Sequence, residues 1–469
     1  MGFTSYLMGA ESLLVQCAEI LLDRGHLIRG VITDNREIVQ WARGRSIPVL
    51  APGRGLEERI TEDFDWFFSI ANLRIISDAV LAKAKAGAVN FHDGPLPRFA
   101  GLNAPNWALL ENEPRHGITW HKIEAGIDEG HVMARREFDM PELATALELN
   151  TACYEAAIDS FPEVLERIEK GDTVGEPQDL SRRTYFGKHD RPPALALIDF
   201  SGEAEAAVRL VRALDFGTKY PNPMQIAKVV VDGEVLLVRS AEVGHATGAP
   251  GAVLEADSDG ATVAAANGSV VLTSLTTQDG EARCPSTLSG KTVEIFDTAT
   301  RQRLTDRNAE ICKADDFYAA RLEALDPIEL PMLGARTEAA QQAMVEVDAG
   351  GLEGPQWVAG VAAFLARAGA KKSFHVGWRG RTLAAAIEGD ERFFASSVPM
   401  KVDASGTIAT LGALLEKELG RLDARVSFAR DLVARRPRAV RGTLDVVVAP
   451  LAEGLVDGSG LTLALGKIY

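Results

Sequence analysis

Residues 88–101 read Ala88-Val89-Asn90-Phe91-His92-Asp93-Gly94-Pro95-Leu96-Pro97-Arg98-Phe99-Ala100-Gly101. Ala88 to Phe91 has the texture of a short buried strand. Asn90 and His92 stand two residues apart at its end, and strand geometry sends both side chains to the same side. The Gly94-Pro95-Leu96-Pro97 run then forces an extended turn, because each proline fixes φ and disfavours helix in the residue before it. A turn this constrained can hold a site rigid.

Towards the N-terminus, Phe3 to Met8 is a short apolar run, Gly9 permits a turn, and Glu11 to Leu22 carries Leu13, Leu14, Cys17, Ile20 and Leu21 on one helical face. Strands over Leu27–Ile32, Ile47–Leu50 and Trp66–Ile70 alternate with helices over Arg36–Gly44 and Ser77–Ala86. That alternation predicts an α/β domain with a parallel sheet wrapped on both faces and ligands at the carboxyl ends of its strands. Gly9 is not part of a G-x-G-x-x-G, so no dinucleotide site is signalled.

Towards the C-terminus, Gly117 to Ile123 reads as a strand running into a glycine-framed loop that crowds Glu124, Asp128 and Glu129. Like charges and partial burial there should raise the pKa of one carboxylate and make it a usable base. His116, His121 and His131 invite a metal reading, but they read better as ordinary residues, and no metal is expected. After a breaker-rich stretch, 171–193, the texture changes. Ile226–Val231, Asp232-Gly233 and Glu234–Arg239 form a hairpin signal, with Asp-Gly suited to a type I′ turn. Asp259-Gly260 and Asn267-Gly268 punctuate further short strands. A small antiparallel barrel over roughly 190–315, preceded by a helix at Glu203–Leu214, is expected. Beyond Asp326-Pro327 come a helix (Gln356–Ala368), an apolar–aromatic patch (Phe393–Val402) and a long helix (Ile408–Ala434).

The formal net charge of −16 argues against a phosphate-neutralising surface and so against nucleic acid as a partner. Arg421, Arg425, Arg430, Arg435, Arg436, Arg438 and Arg441 read as a solvated helix face. Cys17, Cys153, Cys284 and Cys312 form no C-x-x-C pair, which fits a reducing, cytoplasmic compartment. The opening residues read as a strand entering a helix rather than a signal peptide. No apolar run reaches the ~18 residues a membrane span needs, so no membrane partner is expected.

In order, Asn-x-His (90–92), Leu-Pro-x-Phe-x-Gly (96–101), His-Gly-Ile-Thr (116–119) and Ile-Asp-x-Gly (127–130) resemble the folate-dependent formyltransferases, over about residues 1–185. That family includes methionyl-tRNA, glycinamide ribonucleotide and amino-sugar formyltransferases. The resemblance implies a Rossmann-like catalytic domain over 1–188, with His116 as a turn residue of the pattern, and an OB-like β-barrel domain over 189–315, where Ile198-Asp199-Phe200 and Gly251-Ala252-Val253-Leu254 match. It implies N10-formyltetrahydrofolate as co-substrate. Asn90 would hold the formyl oxygen, His92 would donate to it, and Asp128 would orient His92 and help take the proton from the attacking amine. The pterin slot would have Phe68, Ile70, Ala71, Asn72, Leu73 and Ile75 on one wall, largely through main-chain groups. Glu124, Ala125 and Ile127 would form the other wall.

Asp93-Gly94 replaces the family's usual Pro-Ser, and Ser77 stands where a proline is usual. The form Asn-Phe-His-Asp-Gly-Pro-Leu-Pro, with Gly101-Leu102-Asn103 and Gly117-Ile118-Thr119-Trp120-His121, looks most like formyltransferase domains of nonribosomal peptide synthetases. The implied acceptor is the primary amine of an amino acid or of an aminoacyl group on a carrier protein, with carrier or synthetase modules as partners. An amino sugar or methionyl-tRNA acceptor, or a docking module without catalysis, are the alternatives. Phe393-Phe394 through Pro399-Met400-Lys401-Val402 is similar to a segment of condensation domains. The His-His-x-x-x-Asp-Gly motif is absent, so 326–469 is expected to be a partial, α+β condensation-like region used for docking.

Overall fold

The strand Phe64–Ser69 is apolar on both faces. Trp66 and Phe68 pack with Leu7, Val89 and Phe161, while Phe67 packs on the other side with Tyr6 and Met8. A strand of this kind needs cover on both sides, which places it inside a helix-wrapped sheet. The computed structural model describes residues 2–331, 354–440, 444–450 and 461–465. Its contacts divide the chain into two units, Met1–Asp190 with Arg212–Asp215, and Arg191–Val211 with Phe216–Tyr469.

In the first unit, β1 (Thr4–Met8), β2 (Leu27–Ile32), β3 (Val49–Leu50), β4 (Phe64–Ser69) and β5 (Ala84–His92) are parallel, separated by α1 (Ser12–Asp23), α2 (Arg36–Gly44), α3 (Leu56–Arg59) and α4 (Asp78–Leu81). After β5 come the two-residue β6 (Ala100–Gly101), α5 (Ala104–Leu110), β7 (Arg115–Lys122), β8 (Val132–Asp139), α6 (Ala146–Glu169) and β9 (Tyr185–Phe186). The main sheet runs β3-β2-β1-β4-β5-β7-β8. Its last two strands are antiparallel, so the sheet is mixed rather than wholly parallel. The chain leaves β5 at its carboxyl end and passes the two-residue β6 and a seven-residue helix before β7. It re-enters the sheet from that same end instead of crossing over it, as antiparallel pairing allows. The helix expected over Ser77–Ala86 shrinks to α4, because β5 begins at Ala84 to pair with Phe64. Helix α6 starts at a capping box between Thr145 and Glu148 and buries Cys153, Ala157, Phe161 and Leu165 against the sheet. Gly9 does more than turn the chain. A Cβ there would lie 1.9 Å from the Ile70 carbonyl oxygen, so glycine lets the ends of β1 and β4 approach.

The second unit contains α7 (Ala204–Ala213), which ends at the boundary with the first, and an antiparallel sheet of β10 (Ala227–Val231), β11 (Glu234–Gly244), β12 (Val253–Ala256), β13 (Ala261–Ala264), β14 (Ser269–Thr277) and β15 (Ala282–Arg283). Asp232 (φ 52°) and Gly233 (φ 80°) are both left-handed, as a type I′ hairpin requires. Helices α8 (Thr298–Ile311) and α9 (Asp315–Glu323) follow. Then come α10 (Gly354–Ala368), β16 (Ser373–Trp378), α11 (Arg381–Ile387), β17 (Val398–Asp403), α12 (Ile408–Asp423), β18 (Val446–Pro450) and β19 (Leu461–Leu465), whose strands make a second sheet in the order β17-β16-β18-β19. One apolar cluster joins Leu195, Val230 and Tyr318 to Phe374, Met400 and Val446, so both sheets of this unit share a core. Residues 332–353, 441–443, 451–460 and 466–469 of the expected third region, Arg441 among them, lie outside the described residues.

Two expectations fail in this unit. The long helix stops at Asp423 rather than Ala434, because Val426 turns left-handed (φ 49°) and the chain then packs Phe428 and Leu432 inward. The arginines that follow are not all solvated: Arg435 is 1% exposed. Its Nε meets Asp431 at 3.2 Å and its Nη2 meets Asp315 at 3.1 Å. Asp431 also accepts a 2.7 Å bond from Lys228 Nζ, which further donates to the carbonyls of Leu195 and Ile226. Asp431→Ala leaves Lys228 buried without its counter-charge and Arg435 with Asp315 alone, so it should cost about 3–5 kcal/mol in chemical denaturation. A variant as stable as the parent would mean that these charges are not desolvated.

Candidate active site

Val89 and Phe91 turn into the core beneath β5, which sends Asn90 and His92 to the opposite face. Register with β7 sets His121 opposite Asn90 and Thr119 opposite His92. The loop after β7 brings Asp128 back over this edge. Asp128 Oδ2 lies 3.6 Å from His92 Nδ1, and Oδ1 lies 3.4 Å from His121 Nε2. The Gly101 N–H donates to Oδ2 at 2.8 Å. Asn90 Nδ2 lies 3.2 Å from His121 Nε2. Amide, imidazoles and carboxylate thus meet around one space at the carboxyl end of β5. The carboxyl side chain of Asp128 is 11% exposed, and both imidazoles are buried.

The surrounding turn fixes which ring nitrogens can act. His92 Nε2 lies 2.8 Å from the Phe99 carbonyl, and His121 Nδ1 lies 2.8 Å from the Lys122 carbonyl. A carbonyl only accepts, so these nitrogens carry hydrogens. His92 Nδ1 and His121 Nε2 are left to face Asp128. The turn itself is pinned from β7: His116 Nε2 donates to the Asp93 carbonyl at 2.9 Å, and Thr119 Oγ1 donates to the Gly94 carbonyl at 2.9 Å while accepting from Leu96 N–H at 3.1 Å. Burial pushes the His116 imidazole down to about 4, consistent with a neutral ring in this structural role.

The electrostatics reverse one expectation. Burial alone would raise the Asp128 carboxyl. The charge of His92, the contact with His121 and the Gly101 N–H outweigh burial and hold the group well below the ordinary carboxylate range. The like charges expected to raise it have other partners, Glu124 pairing with His131 and Glu129 with Arg183. Beside this site, burial does push up the Asp93 carboxyl, against the opposing pull of His92. His121, read as ordinary, belongs to the site. Its alternation with buried Ile118 and Trp120 was visible in sequence, but the strand it would face was not.

The expected slot residues separate into two groups. Phe68 and Ile70 are fully buried in the core, so only their main chain could meet a ligand, and the Ile70 N–H is already bonded to the Met8 carbonyl at 2.8 Å. Asn72 folds its side chain onto Ser69 and the Arg74 main chain, and Ala71 is left-handed. Leu73 (80%) and Ile75 (90%) stand open to solvent, as does Ile127 (53%) on the acidic loop. Glu124 and Ala125 are exposed on that loop. Among the described residues, no group of three or more His, Cys, Asp or Glu is arranged to hold a metal ion, and no helix is long and apolar enough to cross a membrane.

Residues 63–165 match the family described as formyl transferase, and residues 192–292 match its C-terminal domain. This chain belongs to the formyltransferase family. It is therefore an enzyme that transfers a one-carbon group. A methionyl-tRNA formyltransferase of Citrifermentans bemidjiense is 27% identical over 302 residues, which is 61% of this formyltransferase and 92% of that protein. Among solved structures, HypX from Aquifex aeolicus in complex with tetrahydrofolic acid is 22% identical with a TM-score of 0.45 over 61% of this chain. The match spans 48% of HypX, about half of its length. The N-formyltransferase from Helicobacter canadensis, in complex with folinic acid and dTDP-3-aminofucose, is 19% identical with a TM-score of 0.47 over 58% of this chain and 99% of its own.

In this formyltransferase the Gly101 contact with Asp128 depends on the absence of a side chain. Gly101 has φ 96°, and a Cβ would lie 2.1 Å from the Phe186 carbonyl oxygen. Gly101→Ala should part β6 from β9 and cost about 1–3 kcal/mol, the usual range for a forced unfavourable backbone. Thermal unfolding checks this. An unchanged midpoint would mean that the close approach is not maintained.

Proposed function

We propose that the chain transfers the formyl group of N10-formyltetrahydrofolate to the primary amine of an amino acid, or of an aminoacyl group on a carrier protein, in nonribosomal peptide assembly. The observation that carries the chemistry is the meeting of Asn90, His92 and Asp128 at one strand edge, with the carboxylate 3.6 Å from Nδ1 of His92. The folate supplies the formyl carbon and a nitrogen leaving group. The exposed apolar side chains of Leu73, Ile75 and Ile127 suit a flat heterocycle. The sequence around Asp93-Gly94 supports the acceptor class, and 326–469 is the region proposed as a partial condensation-like surface for a carrier, following an OB-like barrel.

As the amine adds to the formyl carbon, negative charge grows on the formyl oxygen, and donors already in place stabilise it. In either orientation of its amide, Asn90 keeps an N–H that His121 does not use. His92 can present only Nδ1, since Nε2 is held by Phe99. The bond to the acceptor nitrogen forms first, and the bond to the folate nitrogen breaks as the carbonyl re-forms; the first nitrogen loses a proton and the second gains one. Asp128, held ionised, is a weak base. Its role is to orient His92 and balance the charge on that ring while His92 Nδ1 exchanges the proton.

The acidic balance alone does not decide the acceptor, because the relatives include proteins named methionyl-tRNA formyltransferase. The direct experiment is incubation with N10-formyltetrahydrofolate and a panel of free amino acids, carrier-tethered aminoacyl groups, amino sugars and methionyl-tRNA, read by mass gain of one formyl group. Formylation of the free or tethered amino acids is expected; preference for a sugar or tRNA would overturn the acceptor. Asp128→Asn should stay folded and lower turnover about 10²–10⁴-fold. A near-parental rate would remove Asp128 from the mechanism.

A further inference from the structure

Asp128 sits in a left-handed backbone conformation (φ 56°) that non-glycine residues seldom adopt. Such a conformation persists only where its surroundings over-determine it. The Gly101 N–H fixes the carboxylate, but it does nothing for the main chain around residue 128. We infer that the segment 176–186, lying across the acidic loop, sets the position of Asp128, and that Gln178 is its principal positioning residue.

The side-chain amide of Gln178 donates from one nitrogen to two carbonyls, that of Asp128 at 2.9 Å and that of Gly130 at 2.7 Å. Arg183 takes the neighbouring carbonyl, with its Nη2 3.1 Å from Ile127 O, and its Nε lies 3.4 Å from Glu129. Three carbonyls around the turn are thereby held by side chains of one segment. The segment is itself anchored, because Glu176 and Val132 exchange N–H···O bonds of 2.7 and 2.9 Å.

The same segment holds the other half of the site. Thr184 accepts from Phe99 N–H through its hydroxyl at 2.8 Å and from Ala100 N–H through its carbonyl at 3.0 Å. The Phe186 carbonyl accepts from Leu102 N–H at 2.9 Å. Residues 99 to 102 in turn supply the carbonyl that orients His92 and the N–H that binds Asp128. The distance between imidazole and carboxylate is therefore set by a segment of chain whose hydrogen bonds go to the main chain around both.

The chemistry at 178 is restrictive. Two converging carbonyls need two hydrogens from one position, which a neutral primary amide supplies. An ionised glutamate donates nothing and sets negative charge against both oxygens; once protonated, it restores a single donor. This inference rests on Asp128 being part of the formyl-transfer machinery. Its test therefore has one readout that needs turnover and one that does not.

Full-length wild type, Gln178→Ala and Gln178→Glu are compared by steady-state kinetics over pH, and in parallel the Asp128 carboxyl is titrated by carbon NMR in the ligand-free proteins. Gln178→Ala should lower kcat about ten- to a hundredfold, the scale of a small misplacement in a reacting site, with a smaller change in the KM for folate. Gln178→Glu should recover activity towards acid and lose it as pH rises, in contrast to wild type. In Gln178→Ala the Asp128 carboxyl should titrate nearer the ordinary range. Gln178→Ala with wild-type kcat and an unchanged Asp128 titration overturns the inference, as does Gln178→Glu with a wild-type pH profile. A wild-type protein inactive towards every amine refutes the proposed function instead, and the ligand-free titration still decides the role of Gln178.

Discussion

The site depends on one carboxylate that faces two imidazoles. Asp128 reaches His92 with one oxygen and His121 with the other, and a main-chain N–H from Gly101 completes its partners. Remove that charge and the inward nitrogens of both rings, whose outer nitrogens are committed to carbonyls, lose the group that gives them a common orientation. The rest of the first unit can be read as the apparatus that brings the three together. The antiparallel register of β5 and β7 places the rings on one face, the proline-rich turn returns the chain to hold His92, and the left-handed turn at 128 lifts the carboxylate over the edge.

Much of this was legible in the sequence. Period-two geometry gave Asn90 and His92 a shared direction, and the alternation of strands and helices gave a parallel α/β core. The resemblance to formyltransferases pointed to Asp128, which composition and spacing alone did not distinguish from Glu124 or Glu129. His121 was not legible, because its side of β7 matters only once β7 is known to pair with β5 and in what register. The direction of the Asp128 shift was missed for a related reason. The charges beside it in sequence turn away to His131 and Arg183, while the charges that act on it come from elsewhere in the chain.

The second unit shows the same limit. A run of arginines reads as solvated, since charged side chains are rarely buried. Arg435 is an exception because Asp315 and Asp431, distant from each other in sequence, converge on it, and Lys228 completes the set from strand β10. Such networks contribute little net stability compared with an apolar core, but losing one partner is costly because it leaves a buried charge uncompensated. Here the network ties α9 and the segment after α12 to β10 within one unit. Leu195, whose carbonyl receives Lys228, lies in a left-handed run with Ala194 and Ala196, a conformation that needs such anchoring.

The Asp128 carboxylate remains charged because of the groups gathered around it. A group whose folded-state pKa is depressed stays ionised where an ordinary aspartate is half protonated, and that difference is directly observable. The most direct measurement is the carbon NMR shift of the Asp128 carboxyl in the wild-type protein, followed downward in pH for as long as the fold persists. The carboxyl should still be ionised at pH 3.8, the ordinary value for aspartate. Half protonation at or above that pH would contradict it.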